Sequence, residues 1–135
     1  MAVNESLVGR SFPPTTPYDV TEDAIRAFAT ATGTPYAAGD PAPATFPIVV
    51  AFAAMQELML DPTVGIELQN VVHGDQRFVH ERPVAAGDRL TAALTVDGLR
   101  QIGGADIIAT TSAITDATGA LVCTAMATLV HKAGA

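Results

Sequence analysis

The stretch HGDQRFVHERPVAAGD (73–88) holds His73 and His80, the carboxylates of Asp75, Glu81 and Asp88, and the donors Gln76, Arg77 and Arg82. An imidazole with a carboxylate in reach is equipment for moving protons near neutral pH. One chemical reading makes His73 a base, with Asp40 in an upstream loop as the acid. The plainer reading is a β-strand with a busy polar surface. Strand alternation then puts His73, Asp75, Arg77 and Val79 on one face and Gly74, Gln76, Phe78 and His80 on the other. Ion pairs on an exposed sheet face are common and weak. His73, His80 and His131 fall on different strands or faces without ligand spacing, so no metal site is expected, and no cofactor is implied.

Other residues in the stretch have structural readings of their own. Gly74, lacking a side chain, is expected to let the sheet approach a helix or ligand closely. Gly87-Asp88 reads as a turn into the next strand. Arg82 is expected to pair with Glu81 or Asp88, with a ligand phosphate as the chemical alternative. Cys123 sits among apolar strand residues and reads as an inert core thiol.

The elements that position these residues follow from the flanking pattern. LVGRSFPPTTPYDVT (7–21) is an extended lead-in, since Pro13, Pro14 and Pro17 forbid a helix. Thr21 has the place of an N-cap, with Glu22 and Asp23 where the helix dipole favours anions. The helix predicted over 22–32 puts Ile25, Phe28 and Ala29 on one face and ends at Gly33. GTPYAAGDPAPAT (33–45) is a loop, in which Tyr36 is the best candidate to line an entrance for an apolar ligand. FPIVVAFAAMQELML (46–60) reads as a helix that is polar only at Gln56 and Glu57. A helix so apolar is buried on nearly every side or lies in a membrane. It is too short for a bilayer, which needs about 20 apolar residues, so protein must bury it. Strands are predicted over 71–82, 89–99, 106–116 and 120–131, with turns at Gly103-Gly104 and Asp116–Gly119. Short connections make them antiparallel neighbours. The fold class is therefore α+β: one domain over 1–135, a curved antiparallel sheet wrapped around one apolar helix, the hot-dog arrangement. Ala133-Gly134-Ala135 is expected to fray.

Composition excludes several functions. The net charge of -7 and pI of about 4.6 leave no basic footprint for nucleic acid and no attraction to an anionic membrane. The single cysteine cannot form an intramolecular disulfide. Glu5 and Arg10 interrupt any signal-like apolar run, so a cytoplasmic location is expected. The 135 residues suffice for a core, and 5% aromatics without tryptophan make that core aliphatic.

Four pieces taken together resemble the MaoC-like hydratase and dehydratase family: LVGRSFPP…PYDVT, APATFP (42–47), HGDQRF…RPVAAGDRL and DATGALVCTAMATLV. The likeness is to its short, single-domain, FAS1-like branch, related to the non-catalytic subunit of heterodimeric (3R)-hydroxyacyl-ACP dehydratase. It implies a hot-dog fold, acyl thioesters on CoA or acyl carrier protein, and reversible addition of water to a trans-2-enoyl group. That chemistry needs a base for the water, an acid for the α-carbon and N–H donors for the thioester oxygen. Catalytic members supply an Asp and a His in a G-D-x-N-P-x-H-like motif after the first helix, and donors at the start of the central helix. Here FATATG (28–33) is followed by Thr34 where the Asp is expected, then Pro35-Tyr36 with no His behind. The start of the central helix, near Thr45 and Phe46, is expected to keep free N–H groups.

The resemblance thus implies a dehydratase subunit that lacks the Asp–His motif, shapes the acyl channel and pairs with a catalytic MaoC-like partner. Tyr36, Thr45, Phe46, Gly74 and Gln76 are its expected substrate contacts, with Asp40 and His73 the residual catalytic candidates. The alternative is a homodimer that binds an acyl thioester or another apolar ligand without turnover.

Overall fold

The computed structural model describes residues 5–132; the expected frayed tail at 133–135 lies outside them. Helix α1 (Glu22–Thr32) starts as its sequence dictates: Thr21 is extended, and its hydroxyl accepts the Ala24 N–H at 3.0 Å. It ends at Gly33, whose φ of 70° is the left-handed conformation that glycine adopts without strain. Ile25 and Ala29 are its buried residues, and Phe28 meets Phe46 edge to face with centroids 5.3 Å apart.

Five strands form one antiparallel sheet: β1 (Tyr18–Asp19), β2 (Val71–His80), β3 (Arg89–Ile102), β4 (Ala105–Thr115) and β5 (Leu121–Lys132), in spatial order β1-β3-β4-β5-β2. The two glycine turns make β3–β4 and β4–β5 hairpins, as expected. β2 instead crosses to pair with β5 and becomes an edge. The opposite edge is covered: the Gly9 and Phe12 N–H groups bond the Val96 and Leu94 carbonyls at 2.8 and 2.9 Å, and Thr15 N–H bonds Ala92. The proline-rich lead-in is thus a strap along β3.

Helix α2 (Ile48–Met59) lies on the inner face, against β3 and β4. Leu90, Ala92, Leu94 and Val96 point at it from β3, Ile108, Thr110, Ser112 and Ile114 from β4, and Ala125, Ala127 and Leu129 from β5. The helix is less enclosed than its composition implies. Val50, Ala51, Ala54, Met55, Leu58 and Met59 are buried, whereas Phe52, Gln56 and Leu60 form an i, i+4, i+8 stripe that the chain's own sheet leaves uncovered.

The inner row ends in a polar pair that the strand pattern conceals. His131 is wholly buried opposite Asp106 in the β4–β5 ladder. Its Nε2 accepts the Glu67 N–H at 2.9 Å, so the proton sits on Nδ1, which donates to Asp106 Oδ2 at 3.0 Å. Gln101 Nε2 donates to the other carboxylate oxygen at 2.8 Å. This chain of bonds pins the 3-10 turn Leu68–Asn70, and with it the entry to β2, onto the sheet. Replacing His131 by Leu takes the acceptor from Glu67 N–H and the donor from a buried carboxylate. An expected cost of about 2–4 kcal/mol is checked by urea denaturation; a loss under about 0.5 kcal/mol would show the pair to be incidental.

Candidate functional site

A β-bulge at Gly74 rearranges the opening stretch. The register runs Val72↔Val130, His73↔Leu129, then Asp75↔Thr128, so Gly74 is the extra residue. Every side chain before it changes face relative to simple alternation. His73 therefore lies on the inner side with Gln76, Phe78 and His80, and not with Asp75 and Arg77 as the alternation predicts. The contact proves it: His73 Nε2 is 3.0 Å from Gln76 Oε1, a spacing of three that an unbulged strand would put on opposite faces. Gln76 Nε2 donates to the Arg77 carbonyl at 3.3 Å, so Oε1 faces His73 and the imidazole carries its proton on Nε2. His73 borders a groove of about 170 Å³ lined also by Phe52, Met59, Leu68, Val71 and Leu129. Gly74 itself turns toward β5. A Cβ there would meet Thr128 O and Val130 Cγ2 at 3.5 Å, ordinary contact, so close approach of helix or ligand is not what places glycine here.

Asp40 and His73 are not brought together. Asp40 closes its own turn, its carboxylate accepting the Ala37 N–H at 3.0 Å, and the loop is tied to the far end of β2. Ala42 N–H bonds the Val84 carbonyl at 2.7 Å, and His80 Nε2 donates to the Ala44 carbonyl at 2.8 Å. His80 lies seven residues from His73, about 20 Å along the strand. The imidazole beside the loop is thus His80, which the sequence reading did not single out. With Pro41, Ala44, Arg82, Pro83 and Val84 it lines a cleft of about 370 Å³. A larger open cleft of about 480 Å³ lies elsewhere, at the end of α2 between Thr15 and Asp61, and has no imidazole.

The start of α2 offers fewer donors than expected. Phe46 N–H is taken by the Pro43 carbonyl at 2.9 Å, and Ile48, Val49 and Val50 donate to Thr45, Phe46 and Pro47 at 3.0–3.1 Å. Pro47, at the N-cap, has no N–H to give. The proline-rich run winds the chain into turns ahead of the helix and consumes its free amides. The Phe46 side chain is wholly buried between Tyr18 and Phe28, a core anchor. Thr45 is exposed at the rim. Tyr36 packs on the core, with the Arg26 guanidinium 5.2 Å from its ring centroid. Its hydroxyl is buried without a hydrogen-bond partner.

Arg82, Asp88 and Asp116 form a structural clamp. Arg82 grips both Asp88 oxygens, at 2.9 and 3.2 Å, and reaches Asp116 at 3.2 Å; Glu81 is not its partner. Asp88 also accepts the Ala85 N–H at 2.9 Å, closing the turn at Gly87 (φ 96°). This clamp joins the β2–β3 connection to the β4–β5 turn, and explains the arginine and aspartate of RPVAAGD. The Thr118 hydroxyl, at 2.6 Å, is the main cause holding the Asp116 carboxyl down to about 2, helped by Arg82. Burial pushes the Asp88 carboxyl up, but Arg82 and the Ala85 N–H outweigh it and leave it lowered. Burial raises the thiol of Cys123, which is fully enclosed. Among the described residues no cluster of three or more His, Cys, Asp or Glu has metal-ligand geometry, and no helix is long and apolar enough to cross a membrane.

Helix α2 and the sheet wrapped on it define a hot-dog domain of the MaoC-like dehydratase type. Residues 6–125 match the FAS1-like, dehydratase domain region, and the chain belongs to that family. It is 40% identical to a UPF0336 protein of Streptomyces avermitilis, over 98% of this chain and 97% of the relative, and 45% identical to UPF0336 protein Lxx02810 of Leifsonia xyli, over 96% of each. Among solved structures it is similar to the C-terminally truncated HadBC (3R-hydroxyacyl-ACP dehydratase) complex of Mycobacterium tuberculosis, with 29% identity, a TM-score of 0.80, and 92% of this chain and 96% of that one covered. The MaoC-like dehydratase of Rhodospirillum rubrum shares the fold at 20% identity and a TM-score of 0.66, over 100% and 99% of the chains.

The clamp makes acid the weak flank of the fold. Asp116 and Asp88 have folded-state values below the ordinary 3.8. Their contribution is complete above about pH 5 and is lost as pH falls toward 2. Urea midpoints measured from pH 6 to 2.5 should fall, and Arg82→Met should lower the midpoint at pH 6 while flattening that fall.

Proposed function

We propose that this chain is the non-catalytic subunit of a (3R)-hydroxyacyl thioester dehydratase. It shapes the acyl channel and pairs with a MaoC-like partner that brings the Asp and His. One observation carries this reading: the loop that bears the acid–base pair in catalytic members holds Thr34, Tyr36 and Asp40, and Asp40 is spent on its own turn. His73, the other candidate, lies at the opposite end of β2. The likeness to a chain of a hydroxyacyl-ACP dehydratase complex supports the assignment.

The exposed stripe on α2 and the open edge of β2 are the surfaces such a pairing covers. The groove beneath His73, between α2 and β2, is one wall of an apolar channel that a subunit across the edge completes. Five of the seven cationic side chains, Arg10, Arg26, Arg77, Arg82 and Arg89, already face carboxylates, so this chain is poorly equipped to grip CoA phosphates or an acidic carrier. That grip falls to the partner. The Tyr36 hydroxyl, buried without a protein acceptor, is suited to a thioester carbonyl or to an ordered water at the loop.

The purified chain alone is expected to hydrate neither crotonyl-CoA nor a longer trans-2-enoyl-CoA; turnover that survives removal of any co-purifying subunit would sink the reading. Tyr36→Phe removes an unsatisfied buried group, so thermal unfolding should show unchanged or slightly higher stability, by up to about 1 kcal/mol. Binding of a non-hydrolysable acyl-pantetheine to the assembled enzyme should weaken several-fold in that variant. A large loss of stability instead would mean that the hydroxyl is already satisfied within the fold.

A further inference from the structure

The loop between α1 and α2 is tied to the exit of β2 by two hydrogen bonds. Ala42 N–H reaches the Val84 carbonyl at 2.7 Å, and His80 Nε2 lies 2.8 Å from the Ala44 carbonyl. A carbonyl can only accept, so His80 carries a proton on Nε2 and donates it. The strand side of this contact is held firmly. Val84 is buried, and Arg82 bonds the Pro83 carbonyl at 3.0 Å while gripping Asp88 and Asp116. The loop side is not: Thr34, Pro35, residues 37–41, Ala44 and Thr45 are exposed. Gly33 and Gly39, at φ of 70° and 86°, give it two points of easy rotation. Tyr36 is the side chain by which the loop leans on the core, and its hydroxyl is buried there without a hydrogen-bond partner. Pro41, Ala42 and Ala44 form one wall of the cleft of about 370 Å³, and His80 to Val84 form the other. The His80–Ala44 bond joins the two walls.

We infer that His80 is a positioning residue: its ring N–H latches the loop in the place that buries the Tyr36 hydroxyl, and the loop lifts as a lid when that bond breaks. Two opposed effects set the balance. Closure makes the bonds to His80 and Val84, but it leaves the Tyr36 hydroxyl out of water with nothing to bond. A bond from an exposed donor contributes little net, because water replaces it, whereas an orphaned buried group is costly. The closed lid is therefore favoured by a narrow margin, and one donor decides it. Lifting leaves the sheet intact, since the ladder of β2 is made with β5 and not with the loop. It widens the cleft and presents the Tyr36 hydroxyl to an acceptor from outside the chain. Under the dehydratase reading that acceptor is the ligand carbonyl; the latch itself is a property of the chain alone and does not rest on that reading.

Hydrogen exchange and tyrosine fluorescence on the purified full chain test this. The chain has no tryptophan and two tyrosines, so a Tyr18→Phe background makes Tyr36 the single emitter. His80→Leu removes the donor and should speed exchange of the Ala42 N–H roughly threefold to tenfold. Acrylamide should then quench Tyr36 more strongly, while the β2 amides bonded to β5 exchange as in the wild type. His80→Gln keeps a side-chain N–H of similar reach and should return both readings to near wild type. Tyr36→Phe removes the orphaned hydroxyl and should act in the opposite sense, slowing Ala42 exchange severalfold. His80 is exposed at the last residue of β2, so its variants leave the core untouched, and circular dichroism confirms that each is folded. Unchanged Ala42 exchange in His80→Leu, or a Gln variant no better than Leu, overturns the proposal. So does faster exchange throughout β2 and β5, or faster Ala42 exchange in Tyr36→Phe. Enoyl-CoA turnover, measured separately, decides the dehydratase reading without reference to any of these outcomes.

Discussion

Helix α2 can exist in water only because a sheet closes on it. Its twelve residues include one stretch, Ile48 to Met55, with no polar side chain, and such a segment left alone would aggregate rather than stay helical. The sheet accommodates it by keeping its inner face small where the helix crosses. Ala92, Thr110, Ser112, Ala125 and Ala127 lie there among larger neighbours such as Leu94, Ile108 and Ile114. Small side chains let backbone approach backbone, and the larger ones fill the remaining volume. The strap along β3, the α1 helix over Phe46 and the buried His131–Asp106 pair all serve to hold that sheet in place around the helix.

Closure is incomplete, and the incompleteness has a direction. The uncovered stripe Phe52–Gln56–Leu60 and the free edge of β2 mark where the chain's own elements stop. The exposed valines of β2 are the counterpart on the outer face. An isolated large apolar side chain on a surface needs no explanation, but several along one open strand edge do. The open edge of β2 and the bare stripe on α2 thus lie where the sheet's own closure around the helix ends.

The loop at 33–47 shows how proline governs chemistry as well as shape. Three prolines in the run to Ala44, with Pro47 following, wind the chain into successive turns. Those turns use the amides that a helix start would otherwise present to an anion. The loop thus carries Thr34, Tyr36 and Asp40 and few free amides within one segment.

Much of the fold was legible in the sequence, because local rules fix it. The N-cap at Thr21, the glycine stop at Gly33, the alternation of β3 and the turns at Gly103-Gly104 and Asp116–Gly119 depend on a few adjacent residues. The candidate site was less so. His73 changed face because a bulge at Gly74 adds one residue to β2, and a bulge is defined by the partner strand, which local pattern does not contain. His80 became the imidazole of the loop because the sheet brings residues 44 and 80 together. His131, one apolar-strand residue among many in sequence, became a buried hydrogen-bond hub because Asp106 and Glu67 converge on it from distant positions. The sequence by itself determined which elements form and which side chains each of them carries, since propensity, capping and residue type act within a few positions. Only the tertiary structure decided which side chains meet, because register, bulges and burial are set between strands far apart in the chain.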